Sequence, residues 1–460
     1  MELDDDFIAM VCGSYTYVWA RGQTYITTEF RGKPKAITIA NFTAEIEEEC
    51  KYTDGADSCL YYIISGKLHN GSPLPTIRVR ADAFSSLEWV STEWGARAVI
   101  YPVARAREHL RTAILALSQP KRTVMFGHVG WVRHNGLWFY LSNGGAIGPN
   151  GATQTIRVDL RHPILQRVEL PAPSPQPIEA LLEVLSLIDI APEEVTLPLL
   201  GATFLAPLGP VLNLDFSLFL GFQTGVYKSA LAAVFQAAYG RQFHGKNLIS
   251  WDGTGNALQV LTHHSKDCVT VVDDYLPQGG ASEAQSKQRD AERLLRSAAN
   301  KAGRTRMGPE NGLAPVYVPQ GLIINTGEGL PAMRSLRARM VTLELKQGDV
   351  NLSRLSQAQK AAADGVFAGI MADYIRSVAR KIEQVNGRIQ GFREELRKIY
   401  ARPGQHPQTA SHIAALNVGL DFFNSYLGSR GIRHAITPWR IEEVLQRVAD
   451  RQIAYIDSND

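Results

Sequence analysis

Nine residues constrain this chain more than any others: Gly221-Phe-Gln-Thr-Gly-Val-Tyr-Lys-Ser229, set between an apolar run (Phe216-Ser-Leu-Phe-Leu220) and an Ala-rich helical stretch (Ala230 to Ala238). Strand, loop and helix with Lys-Ser at the junction is the pattern of a phosphate-binding loop. Its backbone N–H groups wrap phosphates, the lysine neutralises the outer ones and the hydroxyl ligates Mg²⁺. The pattern makes Gln223, Thr224, Gly225, Val226, Tyr227, Lys228 and Ser229 the candidate nucleotide contacts. It departs from the usual form twice. Phe222 stands where the first glycine belongs, and Tyr227 puts a Cβ where glycine normally permits close approach. The plain alternative is a helix N-terminus that happens to carry Lys-Ser.

The order of the downstream segments strengthens the nucleotide reading. Lys246 to Trp251 reads as a strand and Thr254 to Leu261 as a capped helix. Cys268-Val-Thr-Val-Val-Asp273-Asp274 is an apolar strand ending in two carboxylates, with Asp273 suited to the Mg²⁺ shell and Asp274 to orienting or deprotonating a water. Most ATPases of this kind carry glutamate second, so Asp274 is a further departure. Gly321-Leu-Ile-Ile-Asn325 is a strand closed by one amide, the residue type of a sensor beside the terminal phosphate. Arg334, Arg337 and Arg339 then precede a last strand, Val341 to Leu345. A planar, permanently charged guanidinium there suits a finger that reaches a neighbouring subunit's nucleotide. Taken together, the elements predict an α/β fold: a P-loop ATPase core of the AAA+ type, with a β-rich N-terminal domain and a helical C-terminal region.

At 460 residues the chain is long enough for two or three domains. Short β-branched and aromatic runs dominate to about residue 165, interrupted by one helix near 104–117. An Asn135-Gly136 turn marks a hairpin. A Pro-rich stretch, Leu170 to Pro177, reads as a boundary, and helical periodicity takes over from about 350, in long segments near 356–400, 409–427 and 438–454. The expected domains are therefore 1–170 (a β-rich collar or DNA-binding domain), 171–350 (the ATPase core) and 351–460 (helical). A net charge of +3 says little about partners, so a nucleic-acid contact must come from local charge. Cys12, Cys50, Cys59 and Cys268 lack paired metal-ligand spacing and suit a reducing compartment. The acidic amino terminus is unlike a signal peptide, and no apolar run is long enough for a membrane span, so a cytoplasmic protein is expected.

On these residues the chain resembles the helicase-like ATPases of bacterial mobile elements, phages and plasmids. They are often linked to a primase-polymerase and are distantly related to superfamily-three and minichromosome-maintenance-like helicases. The resemblance spans roughly residues 90 to 345. It includes Phe126-Gly-His-Val-Gly-Trp131, Asn143-Gly-Gly145, the loop at 221–229 and Ser250-Trp-Asp-Gly-Thr254 with Asn256. It continues through Asp273-Asp274, Ala302-Gly-Arg304, Asn325-Thr-Gly-Glu328 and Ser335-Leu-Arg-Ala-Arg339. It implies an ATP- and Mg²⁺-dependent motor on single-stranded or forked DNA, a homo-oligomer of hexamer type, with a primase or replication protein as partner. Within that resemblance Lys301, Arg304 and Arg306 are the preferred DNA contacts, since cations in this interval can track phosphates without reading sequence. The competing reading is a nucleotide-binding DNA loader or scaffold with little turnover, which the departures at Tyr227 and Asp274 favour.

Overall fold

The computed structural model describes residues 7–30, 33–276, 281–303, 305, 307 and 313–457. They divide into two compact units, residues 1–125 and 126–460.

In the first unit, strands Phe7–Cys12, Tyr15–Ala20, Gln23–Phe30 and Lys33–Ala40 form an antiparallel meander. Phe42–Thr53 pairs with Ser58–Leu68, which pairs in turn with Pro73–Arg80. Helix Ala106–Leu117 buries Ala106, His109, Leu110, Ala113, Ile114 and Leu117, the three-and-four spacing of a single apolar face. That face packs with Phe42, Ile64 and Trp94 into one core.

The second unit is built on a five-stranded parallel sheet. Its order is Ile249–Ser250, Val269–Tyr275, Leu322–Gly327, Ser217–Phe222, Met340–Leu345. The strand bearing Asn325 therefore lies between the strand that leads into the Lys-Ser loop and the strand that ends in Asp273-Asp274. All three are buried along most of their length, as a sheet covered on both faces requires. The expected strand from Lys246 shrinks to Ile249–Ser250. Upstream of it, side chains claim the backbone: the His244 N–H donates to Asn247 Oδ1 at 3.0 Å and Asn247 Nδ2 to the Gln242 carbonyl at 2.7 Å.

Residues 126–170 pack within this second unit. Asn135 and Gly136 both have positive φ, the geometry of a two-residue hairpin turn, and join strands Gly130–His134 and Leu137–Ser142. The hairpin is tied to the sheet through a buried carboxylate. The Trp131 N–H donates to Asp267 Oδ2 at 2.9 Å, and the Tyr140 hydroxyl donates to the Asp267 carbonyl at 3.0 Å. Burial pushes the Asp267 carboxyl up to about 6.

The helical region starts as expected but is more broken. In place of one segment over 356–400 there are three helices, Leu352–Ala363, Val366–Ala379 and Ile382–Tyr400. Gly365, at φ 83°, ends the first by a left-handed turn that favours glycine. Helix Pro407–Ser429 crosses helix Glu193–Leu205, whose residues from Val195 onward are all buried. The crossing is backbone to backbone: a Cβ on Gly419 would lie 2.2 Å from the Gly201 carbonyl oxygen. Gly419→Val is accordingly expected to destabilise the unit by about 3 kcal/mol, at the upper end of overpacking costs. A melting temperature equal to that of the unaltered chain would contradict this packing. No helix among the described residues is long and apolar enough to cross a membrane.

Candidate nucleotide site

Because the five strands are parallel, their C-terminal ends share one edge of the sheet, and the candidate residues gather there. A cavity of about 590 Å³ is lined by Gly225 to Ala230, by Asp274, and by Thr326, Gly327 and Glu328, with His244, Gly245, Lys246 and Gln359 completing the wall. The location fits the general tendency of open α/β sheets to bind ligands beyond the carboxyl ends of their strands.

Lys228 opens helix Lys228–Gln236, and Ser229 follows it in the first turn. The Lys228 ammonium donates to the Gln223 carbonyl across the loop. Burial lowers its pKa, and the carboxylates of Glu328, Asp273 and Asp274 pull the other way. This is a half-buried cation facing three anions, able to exchange its carbonyl partner for a phosphate. Val226 is buried beneath the loop, while Gln223 accepts from the Gln347 N–H at 2.9 Å and fixes the loop to the end of the last strand.

Tyr227 has φ 66° and ψ 23°, the left-handed region, and its side chain is exposed. The position that usually holds glycine thus keeps the backbone shape of glycine with a tyrosine in it. A non-glycine residue there costs roughly 1–2 kcal/mol. Tyr227→Gly relieves that strain but adds unfolded-state freedom worth about 0.5–1 kcal/mol, so a stability near or slightly above that of the unaltered chain is expected. Tyr227→Val is expected to lose roughly 1 kcal/mol or more, since β-branched residues fit this region worst. Thermal unfolding of the pair checks the backbone geometry directly.

Asp273 and Asp274 lie where the pairing with the Asn325 strand slips between Val272 and Tyr275. Irregularities of this kind re-aim side chains. The Thr326 hydroxyl donates to Asp273 Oδ1 and accepts the Asp274 N–H at 3.1 Å, so one side chain holds both acidic residues in place. Asp274 itself is exposed, with φ 65°.

Asn325 does not line the cavity. It is almost fully buried, and its Nδ2 donates to the Leu218 carbonyl at 3.0 Å, towards the neighbouring strand. Thr326 and Glu328 reach the cavity instead. Both stood in the Asn325-Thr-Gly-Glu328 motif, but side chains alternate across a strand, and the last amide of an apolar run does not reveal which face it takes.

The arginines occupy the opposite edge. Arg339 precedes Met340, which pairs with Ser217 at the start of the P-loop strand, whereas the loop begins after Phe222. Five residues of strand separate these edges, about 17 Å at the usual rise. Arg339 donates to the Ser335 carbonyl at 2.6 Å and to Asn300 Oδ1 at 3.4 Å, and Arg337 is buried. Arg334 pairs with Asp457 at 2.7 Å. None of the three can meet Lys228 of its own chain.

Of the candidate DNA contacts, Arg304 and Arg306 lie outside the described residues. Lys301 is turned inward: its ammonium donates to the Pro319 carbonyl at 3.2 Å, and burial lowers its pKa against the attraction of Asp267 and Asp215. A lysine bonded to a backbone carbonyl and drawn towards the buried Asp267 carboxylate is not positioned to track a phosphate backbone. His244, Lys246 and Gln359 had no sequence signal, because they reach the cavity from two segments, 244–246 and the helix bearing Gln359, that lie outside the loop motif.

The strand order and cavity belong to a mixed α/β protein with a β-rich N-terminal region and a helical C-terminal region. The solved protein described as "SCCmec type IV Cch - active helicase" has a similar fold, with a TM-score of 0.59 over 97% of this chain and 80% of that chain. The two are 13% identical, so the likeness is one of fold. "The X-ray structure of Inhibitor Bound to JCV Helicase" matches at a TM-score of 0.28 and 15% identity over 53% of this chain and 66% of that chain, too slight to carry an argument. No family model matches the chain, and no curated protein is similar to it in sequence.

Proposed function

We propose that this chain is an ATP-driven DNA helicase of the ring-forming AAA+ type, the replication motor of a mobile genetic element. The observation that carries the reading is the convergence of Lys228-Ser229, Asp274 and Thr326 on one cavity at the carboxyl edge of a parallel sheet. The Asn325 strand, inserted between the P-loop and acidic strands, supports the AAA+ assignment.

In this reading the loop from Gln223 to Tyr227 wraps the phosphates and Lys228 neutralises their outer charge. Ser229 and Asp273 form an all-oxygen pair suited to Mg²⁺, which would offset charge on the phosphates. A carboxylate on the cavity wall activates the water. Arg339, stationed at the far edge, serves a neighbouring subunit's site, which makes a ring of hexamer type the working form; Arg337, buried beside it, holds that turn. Asn325 supports the sheet beneath the site. Arg304 and Arg306 contact single-stranded DNA. The β-rich first unit, residues 1–125, forms a collar in place of the expected 1–170, since residues 126–170 pack within the second unit, and residues 351–460 form a helical region. A primase or replication protein would act with it in the cytoplasm.

The test is unwinding of a forked duplex with ATP and Mg²⁺. Strand separation that requires hydrolysable ATP is expected. Tight nucleotide and DNA binding without separation would instead favour a loader or scaffold, the reading that the strained Tyr227 supports.

A further inference from the structure

Three carboxylates surround Lys228, and their surroundings differ. Asp273 accepts from the Thr326 hydroxyl and, with Ser229, belongs to the pair suited to Mg²⁺. Asp274 is exposed, its backbone held at φ 65° by the same hydroxyl. Glu328 is half-buried on the cavity wall, and the Thr224 hydroxyl donates to its Oε1 at 2.5 Å. That bond brings the Glu328 carboxylate across the mouth of the loop, onto the limb whose N–H groups would meet the outermost phosphate. The backbone behind it is fixed: the Glu328 N–H donates to the Tyr275 carbonyl at 3.2 Å. Gly327 makes the approach feasible, because a Cβ there would stand 2.4 Å from the Tyr275 carbonyl oxygen.

We propose that Glu328, rather than Asp274, is the general base of hydrolysis, accepting the proton of the water that attacks the terminal phosphate. The proposal rests on the ATPase reading above and names the group that performs its chemical step. The water oxygen bonds to the terminal phosphorus, and the bond from that phosphorus to the oxygen bridging the β-phosphate breaks. The electron pair of that bond leaves on ADP. The water proton passes to the Glu328 carboxylate and returns to solvent as inorganic phosphate departs. Glutamate has the reach for this from a tethered backbone. Asp274 is one methylene shorter, is exposed to bulk water, and sits beside the end of its strand. The tether to Thr224 also positions Glu328, holding its carboxylate over the limb that faces the phosphates.

The experiment compares Glu328→Gln, Asp274→Asn and Thr224→Val in the full chain. Each is measured for equilibrium binding of a fluorescent ATP analogue and for single-turnover hydrolysis of ATP with saturating single-stranded DNA. Glu328→Gln keeps an oxygen that can accept from Thr224 but loses the base. Its rate is expected to fall by about 10²–10⁴ with affinity held within about threefold. Asp274→Asn is expected to retain a rate at least about tenfold above that of Glu328→Gln, and Thr224→Val, which keeps the carboxylate and loses its tether, to fall between Glu328→Gln and the unaltered chain. A Glu328→Gln rate within about threefold of the unaltered chain would overturn the proposal, as would an Asp274→Asn rate equal to or below it. Failure of the ATPase reading is distinguishable, since it would be seen first as no analogue binding by the unaltered chain.

Discussion

Lys228→Ala is expected to abolish ATP turnover and to weaken nucleotide binding while leaving the fold intact. The ammonium is half-buried at the first turn of helix Lys228–Gln236, and burial already lowers its pKa. A charged hydrogen bond to a phosphate is worth about 1.5–3 kcal/mol, which corresponds to a loss of roughly 10- to 150-fold in affinity. Turnover should suffer more. Removing one preorganised charge-stabilising donor commonly costs about 10²–10³ in rate, and here the loss also leaves Asp273, Asp274 and Glu328 facing the substrate's own negative charge. Lys228→Arg keeps the charge but not the point geometry, and an intermediate loss is expected. Circular dichroism and a melting curve check that the alanine variant is folded. Equal turnover by Lys228→Ala would remove the site from consideration.

Asp373→Ala should be among the most damaging single changes to stability. Asp373 is fully buried in helix Val366–Ala379 and gathers three partners from two helices and the turn after them. Arg376 contacts it at 2.6 Å, Arg430 closes on its other oxygen, and the Tyr426 hydroxyl donates to that same oxygen at 3.0 Å. Arg430 also lies over the Tyr426 ring, 5.5 Å from its centroid. Deleting the carboxylate leaves two guanidinium groups, mostly shielded from water, without the charge that justified their burial. Breaking a buried ion pair in this one-sided way typically costs about 3–5 kcal/mol. Arg376 and Arg430 retain some exposure, 17% and 26% of their side chains, which puts the expectation at the lower end of that range, about 3 kcal/mol. Asp373→Asn keeps acceptor capacity and should lose less. Urea denaturation midpoints for the pair measure the difference; an unchanged midpoint for the alanine variant would mean the cluster is not the clasp of the helical region.

How far the sequence could be read depended on whether a feature is local. The loop at 221–229, the hairpin turn at Asn135-Gly136 and the Thr254 cap, whose hydroxyl accepts the Ala257 N–H at 3.3 Å, are each complete within a few residues and could be read from them. The spatial order of the strands could not. Nothing near Leu322 announces that it will pair on both sides, with Val269 and with the strand starting at Ser217. The Pro-rich stretch at 170–177 suggested an edge to the N-terminal region, yet Trp131 and Tyr140 are held by Asp267, more than 120 residues away in sequence. For the site, residue type was easier to anticipate than direction. Asn325 is polar at a strand end but faces its neighbour strand, whereas Thr326 turns to the cavity. Lys301 sits in a basic interval but answers a buried carboxylate. Each depends on which side of an element is covered, a property of the whole fold.

If ATP hydrolysis at this cavity drives movement on DNA, as proposed, hydrolysis must respond to the DNA. Steady-state ATP hydrolysis by the purified chain, measured as single-stranded DNA is titrated in, tests it most directly. A low basal rate that rises severalfold and saturates with DNA is expected. A rate indifferent to DNA at every concentration, with nucleotide bound normally, would contradict it.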